Sequence, residues 1–88
     1  MPKPLVTIEN WGVVHSAISQ GFEGLHPGNR LTGYVFGHPN LPNKMRIYTS
    51  PIVSIYLSHG VVETLNTIYR LGEASDEYKS WEQASVHG

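Results

Sequence analysis

The apolar positions near the N-terminus recur at helical spacing. Steps of three and four residues place apolar side chains along one stripe of an α-helix. The positions are Ile8, Trp11, Val14 (or His15) and Ile18. Thr7 can cap such a helix, and Glu9 suits the positive end of its dipole. Gly12 weakens the pattern by about 1 kcal/mol relative to alanine. The sequence therefore predicts an N-terminal helix that ends by Gly21.

The stretch 31–57 has a different pattern, because β-branched and aromatic residues dominate it. The segment 32–36, TGYVF, suits a pleated surface better than a helix. Glycine, proline and asparagine crowd the next positions, which indicates a loop. An extended pattern resumes at Arg46, and Pro51 interrupts it. We expect one long bent strand, or two short ones, over 46–57.

Pairing the two extended segments across the loop predicts a hairpin with two distinct faces. In the predicted register Phe36 lies opposite Arg46, and Tyr34 lies opposite Tyr48. Alternation then places one set on a core face: Leu31, Val35 and Ile47. The other face carries Tyr34, Phe36, Arg46 and Tyr48. Two interpretations of this second face stay open: a terminal helix covers it, or it is an exposed platform for a partner.

The last third of the chain predicts two short strands and a helix. The segment 58–60 can close a hairpin into a strand over 61–64. A turn at 65–66 and a strand over 67–71 follow, with one unbroken strand over 61–71 as the alternative. Ser75 can cap a short helix with Tyr78 and Trp81 on its apolar side, Trp81 being the expected anchor on the sheet.

The predicted fold class is therefore α+β in a single domain, residues 1–88. It has an N-terminal helix, a curved antiparallel sheet of three to four strands and a short C-terminal helix. Pro51 could bend the sheet towards an SH3-like shape. Residues 1–6 are predicted to be a flexible tail.

Composition indicates a globular chain of low charge. Hydrophobic residues make up 40% and charged residues 15%, a balance unlike that of disordered chains. Cysteine is absent, which excludes disulfides and thiolate sites. No apolar run reaches the length of about 20 residues that spans a bilayer, and the N-terminus lacks a signal-peptide pattern. These features predict a cytoplasmic protein. The net charge is −1, but the middle of the chain is basic: between His26 and Leu57 it carries Arg30, Lys44 and Arg46 and no acid.

Catalytic and metal-binding patterns are missing from the sequence. The four histidines that precede the tail lie at least eleven residues apart, unlike the local spacing of metal ligands. The single aspartate, Asp76, stands where a helix cap explains it. Ser50 and Ser54 lack the glycines of a nucleophile elbow, and no glycine loop has the lysine of a phosphate site. We therefore predict a non-enzymatic protein without metal or cofactor.

Four short motifs resemble small domains of unknown function from proteobacteria and their phages. The matching residues are Gly33, Gly37-His38-Pro39, Thr49-Ser50 and Tyr69-Arg70-Leu71-Gly72. The loop 40–44 departs from that pattern because it lacks a glycine turn, which leaves the strand register open. The resemblance carries no activity. It implies an accessory phage protein, and by analogy an inhibitor of a host defence complex of the anti-CRISPR kind.

The leading functional prediction is a small protein-binding module. Tyrosine and arginine anchor interfaces well. The predicted contact residues are Tyr34, Phe36, His38, Lys44, Arg46 and Tyr48. The alternative is a nucleic-acid-binding module on the same face, with aromatic rings stacking on bases and Arg30, Lys44 and Arg46 contacting phosphates. A host defence ribonucleoprotein is one expected partner, and homodimerisation stays open.

Overall fold

The described residues form a six-stranded mixed sheet and one C-terminal α-helix. The computed structural model describes residues 2–87, and side chains through residue 84. The elements are β1 (Leu5–Val14), β2 (Arg30–Phe36), β3 (Met45–Tyr48), β4 (Ile52–Tyr56), β5 (Val61–Thr64), β6 (Ile68–Leu71) and α1 (Asp76–His87). Among these described residues, no helix is long and apolar enough to cross a membrane.

The long strand β1 joins the two halves of the sheet. The strand order is β3-β2-β1-β6-β5-β4, and β1 pairs antiparallel with β2 but parallel with β6. The chain crosses from one sheet edge to the other between β3 and β4, which are consecutive in sequence. At the start of β4, the Ile52 N–H donates to the Asn29 carbonyl at 2.8 Å, and the Gly28 N–H donates to the Ile52 carbonyl at 2.9 Å. The sheet therefore coils far enough for the start of β4 to meet the segment before β2.

The predicted N-terminal helix is wrong, because this segment forms β1. Val6 and Ile8 alternate into the core, and Val13 does so again after a bulge. In the bulge Asn10 and Trp11 together oppose the single residue Gly33, with Asn10 at φ 52°. One extra residue shifts the alternation and makes a two-residue period look like steps of three. Ile18, the last position of the predicted stripe, is 91% exposed.

The predicted sheet of three to four antiparallel strands is also wrong, since it omitted β1 and its parallel pairing. The later segments do form strands: Pro51 separates β3 from β4, and β5 and β6 replace the alternative of one unbroken strand. The β2–β3 register differs from the prediction by two residues, because Tyr34, not Phe36, pairs with Arg46. A shift of two keeps every side chain on its face.

Most of the core lies on one face of β1 and β2, and α1 adds Tyr78 to it from the other face. The core cluster includes Ile8, Val13, Leu31 and Val35, together with residues from β4, β5 and β6. On the other face, α1 starts as predicted: the Ser75 Oγ accepts a hydrogen bond from the Tyr78 N–H at 3.1 Å. Tyr78, which is 1% exposed, anchors α1 on the sheet. The predicted anchor, Trp81, is only half-buried.

A candidate binding cleft

An open cleft lies on the face of the sheet that α1 partly covers. It consists of two cavities with volumes of about 320 Å³ and 430 Å³. The two cavities share three of their lining residues: Phe22, Thr32 and Arg46. The floor is formed by β1 and β2, one wall by β3, and the other by α1 and the loop before β2. The cleft therefore exists because three distant parts of the chain meet over the sheet.

The aromatic wall of the cleft is built around Tyr78. Its ring packs against Trp11, Phe22 and Trp81 with centroid distances of 5.5, 5.3 and 5.5 Å. Gly12 makes this approach feasible, since a Cβ there would lie 3.1 Å from the Phe22 ring. The Tyr78 hydroxyl donates to the Glu23 carbonyl at 3.0 Å and ties the loop to α1. Burial, with the nearby Glu82 charge, raises the pKa of Tyr78 to about 12.

The segment between β6 and α1 is held against β1, which places the start of the helix beside the cleft. The Trp11 indole Nε1–H donates to the Gly72 carbonyl at 3.0 Å. The Ser75 N–H donates to the Trp11 carbonyl at 2.7 Å, and the Trp11 N–H donates to the Glu73 carbonyl at 3.2 Å. Three bonds to one residue of the bulge therefore determine where α1 begins. Glu77, in its first turn, lines the smaller cavity.

The strand wall carries tyrosine and arginine side chains. Tyr34 pairs with Arg46 across β2 and β3, and Thr32 pairs with Tyr48. Tyr34 is half-buried, whereas Arg46 and Tyr48 are exposed, the latter by 46%. Arg46 belongs to neither of the two ion pairs found among the described side chains. Its guanidinium is therefore available to a ligand.

Thr32, on the cleft floor, has an unmet hydrogen-bonding requirement. The residue is 5% exposed, and within the described part of the chain its Oγ1 has no hydrogen-bond partner. Two other buried threonines behave differently. The Thr64 Oγ1 donates to the Thr67 carbonyl at 3.0 Å, and the Thr49 Oγ1 donates to the Ser50 carbonyl at 2.8 Å. A buried hydroxyl without a partner costs free energy, so the position calls for an explanation.

The structure brings three of the six predicted contact residues to the cleft: Tyr34, Arg46 and Tyr48. Phe36 lies at the end of β2 opposite Thr7, half-buried and away from both cavities. His38 and Lys44 lie in the β2–β3 loop, and neither lines the cleft. The His38 Nδ1 accepts a hydrogen bond from the Asn40 N–H at 3.0 Å.

The helix α1 covers one part of the face that carries Tyr34, Arg46 and Tyr48 and leaves another part exposed. The helix covers the face over β1, where Tyr78 lies against Gly12. The β3 end, with Arg46 and Tyr48, stays exposed. Sequence reasoning did not identify Phe22, Thr32 or Trp81 as site residues. The alternation along β2 predicts that Thr32 shares a face with Tyr34. No local sequence pattern predicts that Phe22, which lies in a loop, packs on that face.

The cleft combines apolar, polar and charged side chains. Its described side chains offer aromatic rings, one guanidinium, one carboxylate and several hydroxyls. Among the side chains through residue 84, no three histidine, aspartate or glutamate residues come close enough to hold a metal ion.

No protein family model, curated protein or solved structure matches this chain. The resemblance to proteobacterial and phage domains therefore stays a prediction.

Proposed function

We propose that this protein is a non-enzymatic binding module that holds part of a protein partner in the cleft. The observation that carries the proposal is an exposed Arg46 and Tyr48 beside an aromatic wall, with no ion pair from the described chain to the guanidinium. Aromatic rings and arginine are the side chains that most often anchor protein interfaces. A narrower role, a phage-encoded inhibitor of a host defence complex, is proposed on the sequence resemblance alone.

A protein partner suits this cleft better than nucleic acid. Binding to a phosphate backbone requires several basic groups along one track. Among the side chains described, through residue 84, Arg46 is the only basic one that lines the two cavities. The Arg30 guanidinium instead donates to the Thr49 carbonyl at 3.0 Å, and Lys44 lies in the loop beyond β2. Of the three basic residues grouped in the sequence, one is therefore among the described residues that line the cleft.

A pull-down with matched tyrosine variants tests the proposal. Tyr48 and Tyr56 are each 46% exposed, but only Tyr48 lines the cleft. The tagged protein is incubated with bacterial lysate, with and without nuclease, at low and moderate salt. We expect Tyr48→Ala to lose a discrete protein that the wild type and Tyr56→Ala both retain. Adding Tyr34→Ala should deepen the loss without unfolding, since neither cleft tyrosine belongs to the core cluster.

Two results would contradict the proposed function. If the two single variants bind the same partner equally, the cleft is not the contact surface. If only nucleic acid is recovered, and is lost steeply as salt rises, the protein binds phosphate backbones instead.

A further inference from the structure

We propose that the outer edge of β3 accepts an extended segment of the protein partner as an added antiparallel strand. The segment would pair with the backbone of Arg46 and Tyr48 and would carry an acidic residue opposite Arg46. This inference rests on the proposed function and deepens it, because it states how the partner is held beside the cleft.

The outer edge of β3 has unpaired backbone groups at two residues. This strand is the first in the order of the sheet, and β2 is its one neighbour. The Thr49 N–H donates to the Leu31 carbonyl at 2.9 Å, so the odd-numbered residues of β3 turn their backbone groups towards β2. Arg46 and Tyr48 therefore turn their N–H and C=O groups outward. Within residues 2–87, no other backbone group bonds to them.

The side chains of the same two residues lie on the cleft face. Arg46 and Tyr48 both line the larger cavity, and both are exposed. In an added antiparallel strand, the residues directly opposite them would carry their side chains on this face too. One extended segment would therefore bond to the edge through its backbone and place alternate side chains beside the cleft. Strand addition combines affinity and specificity in this way.

The opposite edge of the sheet is less suited to strand addition. At the start of β4, both backbone groups of Ile52 already bond to the segment 28–29, at 2.8 and 2.9 Å. A bulge follows, since the pairing with β5 shifts register between Ile52 and Ser54. Bulges twist an edge strand away from further pairing. In contrast, β3 pairs with β2 in one continuous register along its whole length.

Charge distinguishes a partner segment from a second copy of this chain. Lys44 and Arg46 are both exposed at this edge, and the sequence has no acidic residue between positions 24 and 62. Two copies paired through β3 would bring their arginines onto one face, opposite or diagonal to each other, where like charges destabilise. Glu77 lines the smaller cavity with Arg46, but no ion pair joins them among the described side chains. The complementary occupant is a partner strand with an acidic residue opposite Arg46.

Hydrogen exchange and a peptide titration, both followed by NMR, test the inference. In the free protein the Arg46 and Tyr48 amides should exchange rapidly, whereas the Ile47 amide, which bonds to β2, should be protected. The probe is acetyl-Thr-Val-Thr-Glu-Thr-amide, in which valine would lie opposite Tyr48 and glutamate opposite Arg46. We expect it to bind at millimolar concentration and to slow the exchange of the Arg46 and Tyr48 amides. The exchange of Ile47 should not change.

Matched peptides separate backbone pairing from side-chain contact. Methylation of the valine and glutamate nitrogens removes the two donors that face β3, and should weaken binding by about tenfold or more. Methylation of the central threonine nitrogen, which faces away from β3, should change the affinity by less than about twofold. Replacement of glutamate by glutamine should weaken binding, and replacement by lysine should weaken it further.

Proline variants test the same edge from the protein side. Arg46→Pro should fold, because the missing N–H points away from β2. Ile47→Pro removes a bond to β2, so it should lower the Tm further than Ile47→Ala does. Arg46→Pro and Arg46→Ala both lack the guanidinium, but only the proline variant also lacks the backbone donor. Arg46→Pro should therefore bind the glutamate peptide about tenfold more weakly than Arg46→Ala.

Several outcomes would overturn the inference. Protected Arg46 and Tyr48 amides in dilute free protein would show that the edge is already closed. Concentration-dependent shifts of these amides without peptide would show that a second copy occupies the edge. No binding at millimolar concentration, or equal binding of the two methylated peptides, would exclude strand addition. If one of these results is found while Tyr48→Ala loses its protein partner in the pull-down, this inference fails and the proposed function stands.

Discussion

Replacing Thr32 by valine should stabilise this protein, although most substitutions in a buried strand destabilise. The threonine hydroxyl is buried and unpaired, so the folded state loses its hydration without gaining a hydrogen bond. Valine has the same shape and replaces the hydroxyl by a methyl group. Burial of an unpaired hydroxyl costs about 1–3 kcal/mol. The Thr32→Val substitution removes part of that cost, so we expect the free energy of unfolding to rise by about 1 kcal/mol.

Thermal and urea unfolding, followed by circular dichroism, measure the effect. For a domain of this size, 1 kcal/mol corresponds to a rise in Tm of about 4–8 °C. Thr64→Val is the matched control, because Thr64 is fully buried but its Oγ1 bonds both to the carbonyl and to the N–H of Thr67. The Thr64→Val substitution should lower the free energy of unfolding by about 1–2 kcal/mol. If Thr32→Val destabilises as much as Thr64→Val, the Thr32 hydroxyl has a hydrogen-bond partner and is not an unmet donor.

Two further predictions concern the features that hold the cleft in place. Gly33→Ala should lower the free energy of unfolding by about 2 kcal/mol or more, because the new Cβ would lie 2.8 Å from the Glu9 carbonyl oxygen in the β1 bulge. Gly21→Ala, where a Cβ meets nothing within 4 Å, is the control for urea unfolding; a similar loss there would contradict the steric reason. The second prediction concerns alkaline pH. The pKa of Tyr78 is raised from its ordinary value of 10.0 to about 12 in the folded protein. The contribution of Tyr78 to the free energy of unfolding is therefore complete below pH 10 and is lost as the pH rises towards 12. Stability should fall by up to about 1.4 kcal/mol per pH unit from this group in that window. The stability of the Tyr78→Phe variant should fall less steeply between pH 10 and 12. Equal slopes for the variant and the wild type would show that Tyr78 is not the group that titrates.

Some of this structure follows from local sequence alone. Ser75 begins α1 as predicted, because capping depends on a side chain and a backbone N–H only three residues away. Alternation along β2 and β3 placed Tyr34, Arg46 and Tyr48 on one face, and the error of two residues in register did not disturb it. For 46–57 the pattern left one bent strand or two short ones open, and the structure has two. The two short strands preferred for 61–71 correspond to β5 and β6.

Other features depended on contacts between distant residues. The bulge at Asn10 and Trp11 is stable because Gly33 leaves room for it, and no pattern within residues 5–14 reports that space. The parallel pairing of β1 with β6 joins residues about sixty positions apart. Without that pairing, the apolar spacing in β1 fits a helix as well as a strand.

The sequence by itself determined the short-range elements and which residues share a face, since both depend on neighbours a few positions away. Only the tertiary structure decided that β1 is a strand and that the face is a cleft. Phe22 arrives from a loop, Trp81 from α1 and Thr32 from β2, and their meeting depends on how the sheet coils. That coiling is a property of the whole sheet, so no local stretch of the chain encodes it.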